Sequence, residues 1–457
     1  MSARTDQPTV AARLADAIVA GYGKKAAAEL RERCEEMLID IAGLCVAARD
    51  TDYMRAALVG WEGEGPCTAI GHAKARDAAS AALLNGLAAH GEDFDDTFEG
   101  GPVHAGVVIV PALLAIAERE KLAGADVLHG LAVGVETMCR LSLVVPKAFH
   151  RAGFHPTAVL GTMGAAAGVG AALRLSAAQI VDALGVAGSM ASGIIEYLAD
   201  GSWTKRLHPG WAAQSGLRAA KLAQQGFVGP RSVFEGTHGL FNGFAHTTKG
   251  DWGKLLDGFG QDWIATTVAF KPYACGTMTH PYIDCARRLA AKGIKPEQIA
   301  EITCEVAEGT VHRLWEPLAQ KQRPPNAYAA KFSTPFCIAA GFVLGQAGLG
   351  AFTEETVKGP RLLAVMDKVG YVIDPNNPYP HGYTGHIRAR LTDGRVVEER
   401  QPHLRGGAHE RLSRADIEEK FTLNVAHGGW EKARADRFLA FARTAFDKQI
   451  DLSPFRG

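Results

Sequence analysis

The stretch "LRLSAAQIVDALGVAGSMASG", residues 173–193, decides the fold class. Ser176 stands where a helix N-cap belongs, with Gln179 three residues on to complete a capping box, and Gly193 follows the last apolar positions. Between them Gly185, Ala187, Gly188, Ala191 and Ser192 leave room for a neighbouring helix to come close. The reading is a helix at the centre of a tightly packed helical domain. Outward from it the same punctuation recurs. Leu30, Cys34, Met37, Leu38, Ile41, Leu44 and Cys45 fall at three- and four-residue intervals, and similar runs occupy 74–90, 107–119, 124–144 and 157–173. The 52 glycines among 457 residues exceed the usual ~7% and sit beside alanine in these runs, which fits close backbone packing rather than a linker.

Composition narrows the class of protein. The length suggests about two to three domain-sized units. Lys+Arg and Asp+Glu balance at 49 each, so no global field draws in nucleic acid, and an anionic ligand must be caught by a few local cations. Eight scattered cysteines without a C-x-x-C pair argue against a zinc ribbon, an iron–sulfur site or a disulfide framework, and fit a reducing, cytoplasmic setting. The N-terminal "MSARTDQPTVAARLADAIVAGYG" carries Asp6 and Asp16 and reads as an amphipathic helix, not a signal peptide. The small-residue run from Ala158 to Leu173 is interrupted by glycines and falls short of the roughly 20 apolar residues a bilayer needs.

Past residue 265 the period changes. "IAEITCEV" alternates Ile302, Cys304 and Val306 with polar partners, as a half-buried strand does. "GHIRARLTDGRVVEERQ" reads as a hairpin, with Asp393-Gly394 at its turn and a return strand from Arg395 to Gln401. After Pro402 the helical period resumes, opened by Ser413 and Asp416 in capping-box spacing. The expected layout is mainly α: a helical domain over 1–265, an inserted α+β domain over 266–405, and helices over 406–457 that return to the first domain. Such a layout leaves a cleft where ligands commonly sit.

Four stretches carry chemistry. "HGEDFDDTFEGGPVHAG", residues 90–106, admits a solvated helix end, a metal site or a proton-transfer site; its spacing matches neither a calcium loop nor an H-E-x-x-H helix. "GFHPTAVLG" sets His155 at a helix start, which disfavours imidazolium and leaves the ring neutral and available for proton transfer. "DGSWTKRLHPGWAAQSG" offers Lys205, Arg206 and His208 before a second His-Pro turn, an anion site if all three cations meet at a helix start. "VAFKPYACGTMTHPYIDCARRLA" holds Lys271 between Phe270 and Pro272, poorly solvated unless an anion meets it. In the same stretch His280 opens another helix and is a candidate for substrate binding. Each has a plain alternative, a core histidine or a solvated lysine, and no nucleotide-binding glycine motif accompanies them.

These four stretches, in order and over nearly the whole chain, closely resemble the MmgE/PrpD family, which includes 2-methylcitrate dehydratase, cis-aconitate decarboxylase and iminodisuccinate epimerase. The resemblance implies a helical domain with a smaller α+β lid, a homodimer, no cofactor, no metal, and a di- or tricarboxylate as the partner molecule. It carries site roles onto Asp93 and Thr97 of D-F-D-D-T, His104, His155 of F-H-P, Lys205 and His208 of T-K-x-x-H, and Lys271 of F-K. The chain departs from the family in two places. His104 is followed by Ala105 where members often have proline, and "KPYACGTMTH" lacks a histidine that the decarboxylase branch carries shortly after the lysine.

The chemistry implied is proton transfer at a carbon beside a carboxylate, with Lys205, Lys271 and His208 stabilising the developing charge. The expectation is dehydration of a hydroxy-tricarboxylate such as 2-methylcitrate, with His155 or His104 as base and the partner histidine, oriented by Asp93, as acid. The alternatives are epimerisation or decarboxylation of an iminodisuccinate- or cis-aconitate-type substrate. A different class is a metal-dependent hydrolase on Asp93, Asp95, Asp96 and His104, and a further one is a non-catalytic scaffold. Within the acidic stretch Asp93 and His104 are assigned to chemistry, and Glu92, Asp95 and Glu99 to structure.

Overall fold

The structure, a computed structural model, describes residues 8–101 and 103–457. It is mainly helical with one four-stranded sheet. By its internal contacts the chain divides into two units. The first holds the described residues up to Gly91, Asp95–Val268 and Arg414–Gly457; the second holds Glu92–Phe94 and Ala269–Ser413.

In the first unit the helical runs appear as Ala28–Ala48, Ala78–Gly91, Gly106–Glu120, Gly124–Val144, Pro156–Ala172, Ala177–Met190 and Thr204–Gln224. The Ser176 capping box forms, with Ser176 accepting from the Gln179 N–H and the Gln179 side chain accepting from the Ser176 N–H. Glycine sets the helix spacing. A Cβ on Gly130 would lie 2.6 Å from the Gly168 carbonyl oxygen, so the Gly124–Val144 and Pro156–Ala172 helices meet backbone to backbone. A Cβ on Gly210 would lie 2.1 Å from the Leu83 carbonyl oxygen, which draws the Thr204–Gln224 helix against Ala78–Gly91. Gly124–Val144 is long and apolar enough to cross a bilayer, but 89% of its most apolar window is buried inside the protein, as in a core helix.

At the amino end the helix is Val10–Val19, capped by Thr9; the residues before Pro8 lie outside the described ones. At the carboxyl end the Arg414–His427 helix packs on Ala28–Ala48, where Lys420 meets Asp40 at 2.7 Å in a buried ion pair.

In the second unit the sheet runs β2-β1-β3-β4, with β1 Ile299–Val306, β2 Val369–Ile373, β3 Gly385–Leu391 and β4 Val396–Gln401. β1 and β3 are antiparallel with Cys304 opposite Ile387, and the hairpin turn has Gly394 at φ +87°. One face, with Ile302, Cys304, Ile387 and Ala389, is buried under helices that include His280–Ala291; the other carries pairs such as Arg388–Glu398 at 2.8 Å. β2, parallel to β1, was not expected from the sequence. All eight cysteines are buried and free.

Candidate acid–base site

The Ala78–Gly91 helix delivers His90 at its carboxyl end, and the chain then turns through the acidic stretch to His104. One oxygen organises both rings. Asp95 Oδ2 lies 2.8 Å from His90 Nδ1 and 3.1 Å from His104 Nδ1, and the Asp95 and His90 side chains are fully buried. His104 Nδ1 also lies 2.6 Å from the Asp96 carbonyl oxygen. A carbonyl and a carboxylate can only accept, so Nδ1 of His104 carries a proton and Nε2 is the ring nitrogen left to exchange one. Burial alone would raise the Asp95 carboxyl, but the two imidazole donors hold it well below the usual carboxylate range. Burial pushes His90 down to about 4, against the pull of Asp95.

Asp96 has a different task. Its Oδ2 accepts from the Ala105 and Gly106 N–H groups, both at 2.9 Å, so the carboxylate caps the start of the Gly106–Glu120 helix. This explains Ala105: a proline there would have no N–H to donate. A Cβ on Gly106 would sit 2.5 Å from Asp96 Oδ1, so the helix begins on glycine. Burial, followed by the neighbouring Asp95, pushes the Asp96 carboxyl up to about 6.

His155 is the residue before Pro156 at the start of its helix, as the sequence predicts, and its backbone N–H donates to the Gly193 carbonyl at 2.8 Å. Its Nδ1 lies 3.1 Å from His208 Nδ1, so one ring donates and the other accepts. That needs at least one neutral imidazole, and the surroundings supply two. Burial first, then His90, His208, Lys205 and His104, pushes His155 well below the ordinary histidine range; burial and then Lys205 bring His208 to about 4. Ring centroids of His90, His104 and His155 lie 5.0 to 6.5 Å apart, with Tyr197 edge-on to both His155 and His208. Thr157 accepts from the His104 backbone N–H at 3.2 Å, and Thr97 is buried in the same unit.

The Lys205, Arg206 and His208 stretch differs from the sequence reading. His208-Pro209 does not open a helix. The helix starts at Thr204 and Pro209 lies inside it, removing the ladder bond to the Lys205 carbonyl. Nor do three cations converge. Arg206 donates to the Gly91 carbonyl at 3.0 Å and lies over the Tyr53 ring, and His208 is neutral, so the half-buried Lys205 is the cation of this turn that acts on the histidines.

In the second unit Lys271 meets its expected anion. The buried ammonium donates to the Asp93 carbonyl at 2.8 Å and faces the Asp93 carboxylate at 3.4 Å. Lys331, also buried, donates to the Glu92 carbonyl at 2.6 Å and its carboxylate at 2.7 Å. Asp93 itself takes the left-handed conformation, φ +56°. The sequence assigns Asp93 to a histidine and Asp95 to structure; in the structure Asp95 meets the histidines and Asp93 meets Lys271. His280 opens its helix as expected, with Nε2 3.1 Å from the Cys275 carbonyl oxygen, which fixes the proton on Nε2.

His90, Asp95 and His104 are also a group whose ligand atoms lie within 4.8 Å of one another. His90 Nδ1 points its proton at Asp95, while His104 Nδ1 points its own at the Asp96 carbonyl with Asp95 3.1 Å away, and a cation there would have to replace those protons. The metal reading also drew on Asp93 and Asp96, which bind Lys271 and a helix start instead.

Imidazoles gathered around a buried carboxylate, beside a lysine, are groups that can take up and release protons. The chain belongs to the MmgE/PrpD family: residues 12–252 match the MmgE/PrpD N-terminal domain and residues 273–443 the MmgE/PrpD C-terminal domain. Among curated relatives it is similar to the cis-aconitate decarboxylase of Homo sapiens, 30% identical over 361 residues, covering 76% of this chain and 72% of the relative. The cis-aconitate decarboxylase of Mus musculus is 29% identical over 361 residues, covering 76% and 71%. A cis-aconitate decarboxylase-like protein, oryM, of Aspergillus oryzae is 28% identical over 398 residues, 81% of each chain.

Proposed function

We propose that this chain is a cofactor-independent lyase that decarboxylates an unsaturated tricarboxylate of the cis-aconitate type. The observation that carries the reaction class is His104, fixed as the Nδ1–H tautomer with Asp95 behind it, so that Nε2 exchanges a proton and the carboxylate stabilises the imidazolium. The relatives, named as cis-aconitate decarboxylases, favour this substrate over the hydroxy acid expected from sequence.

In this reading the bond to a carboxylate leaving as CO₂ breaks, and its electron pair moves through the double bond toward a remaining carboxylate. A histidine then protonates the far carbon, giving a terminal alkene. Lys205 stabilises the negative charge while it exists, a preorganised contribution on the order of a few kcal/mol. His155 and His208, held neutral, pass or position that proton without adding a competing charge.

Dehydration of a hydroxy-tricarboxylate such as 2-methylcitrate is the second reading. One observation favours it: "KPYACGTMTH" has no histidine before His280, nine positions after Lys271. Proton NMR of the protein in D₂O with cis-aconitate, citrate, 2-methylcitrate and iminodisuccinate separates them. The expected result is a terminal alkene from cis-aconitate with one deuterium at the neighbouring methylene. An alkene from 2-methylcitrate alone would transfer the proposal to dehydration, and exchange at the α-carbon without an alkene would transfer it to epimerisation.

A further inference from the structure

We infer that His90 is a positioning residue which, by sharing one oxygen of Asp95 with His104, sets how tightly His104 holds its proton. This rests on the proposed role of His104 and goes beyond it, because His90 has no solvent exposure and cannot itself meet a substrate carbon. His104, at 14% side-chain exposure, is the member of the pair open to its surroundings.

A histidine needed only to fill the core would satisfy its Nδ1–H on any backbone carbonyl. His90 instead occupies the same carboxylate oxygen that backs His104, at 2.8 against 3.1 Å, with the two rings 5.0 Å apart. One ring donates to this oxygen and the other lies in ion-pair reach of it, so the two share its charge. The part taken by His90 is withheld from His104, so the imidazolium of His104 is less stabilised than it would be with Asp95 to itself.

The surrounding groups set the direction of the effect. The loop brings Asp95 and Asp96, and Asp40 on the Ala28–Ala48 helix acts on Asp96. The Pro156–Ala172 helix brings His155 at its start and the Thr157 hydroxyl, and the Thr204–Gln224 helix brings His208 and Lys205. The positive neighbour among these, Lys205, disfavours a second charge. Asp95 is the carboxylate in ion-pair reach of the His104 ring, so the number of donors on it is the adjustable quantity.

The test compares His90→Leu, which removes the donor, with His90→Asn, whose amide can still donate to Asp95, and with Asp95→Asn. The titration of His104 is read directly by ¹⁵N NMR of histidine-labelled protein without substrate, assigned by its absence in His104→Gln. The expected result is an upward move of about one pH unit in His90→Leu and a downward move of similar size in Asp95→Asn. In His90→Asn the titration should return toward the unsubstituted position. The pH limb of kcat that reports His104 should follow in the same directions. An unmoved titration in His90→Leu, or the same move in His90→Leu and His90→Asn, would overturn the inference. If His90→Leu does not fold, His90→Asn and Asp95→Asn decide it: a titration displaced in the first as far as in the second refutes it. NMR moves in the expected directions without turnover of any tricarboxylate would uphold the inference while removing the proposed reaction.

Discussion

Replacing His208 by asparagine tests the claim that the fold keeps its inner histidines neutral. In the folded protein burial and Lys205 lower His208 to about 4, against an ordinary value near 6.5. The sign follows from proton counts. Above pH 6.5 neither the folded nor the unfolded state holds the proton, and stability is unaffected. As the pH falls below 6.5 the unfolded chain takes up a proton that the folded chain refuses until near 4, so stability is lost through that window. For one such group the loss at pH 5 relative to pH 8 is about 2 kcal/mol. His72, His90 and His155 act in the same direction, and Asp96, raised to about 6, acts against them, so the total slope mixes several groups. The difference between the unsubstituted protein and His208→Asn isolates one. Urea unfolding followed by far-UV circular dichroism at pH 8, 6 and 5 should show the variant gaining about 2 kcal/mol on the parent between the two ends. Parallel stability curves would mean that His208 titrates alike in both states, and the neutral His155–His208 pair would have to be abandoned. Lys205→Met should narrow the gap, because Lys205 is the second cause of the shift after burial.

Three other outcomes are expected. Lys271→Met removes the cation that faces Asp93 in a setting where both side chains are nearly inaccessible, at a cost of roughly 3–5 kcal/mol; adding Asp93→Asn should recover part of it, measured by urea midpoints of the single and double variants. Gly210→Ala forces a Cβ onto the Leu83 carbonyl and should cost at least about 1–3 kcal/mol, seen as a lower thermal midpoint. Dialysis against chelator should leave turnover of the proton-transfer substrate unchanged, whereas loss restored by a divalent cation would return the His90, Asp95 and His104 group to the metal reading.

The sequence conveyed the helices of the first unit well because they follow one rule, small residues at contact faces between apolar positions, and the capping box at Ser176 marks a boundary chemically. β2 escaped it for a physical reason. "VGYVI" is five residues long, contains a glycine, and leaves Val372 and Ile373 about half exposed, so no alternation betrays a buried face; its parallel pairing with β1 gives no local turn signal either. His208-Pro209 has the sequence form of a helix start, yet it lies one turn inside its helix, because proline is also tolerated inside a helix whose neighbours hold it.

The placing of Asp93 and Asp95 on different partners has a more instructive cause. D-F-D-D presents equivalent carboxylates at short intervals, and composition cannot say which one turns where. The backbone decides it at Asp93, whose left-handed conformation is uncommon for a residue other than glycine. That turn divides the stretch: Glu92 and Asp93 go to Lys331 and Lys271, and Asp95 to His90 and His104. A sequence clue did exist in His90 itself, the last side chain of its helix and five residues ahead of Asp95. A histidine there has Gly86 and Leu87 on the turn before it, so the carboxylates of the loop that follows are the nearest side chains that can pair with it.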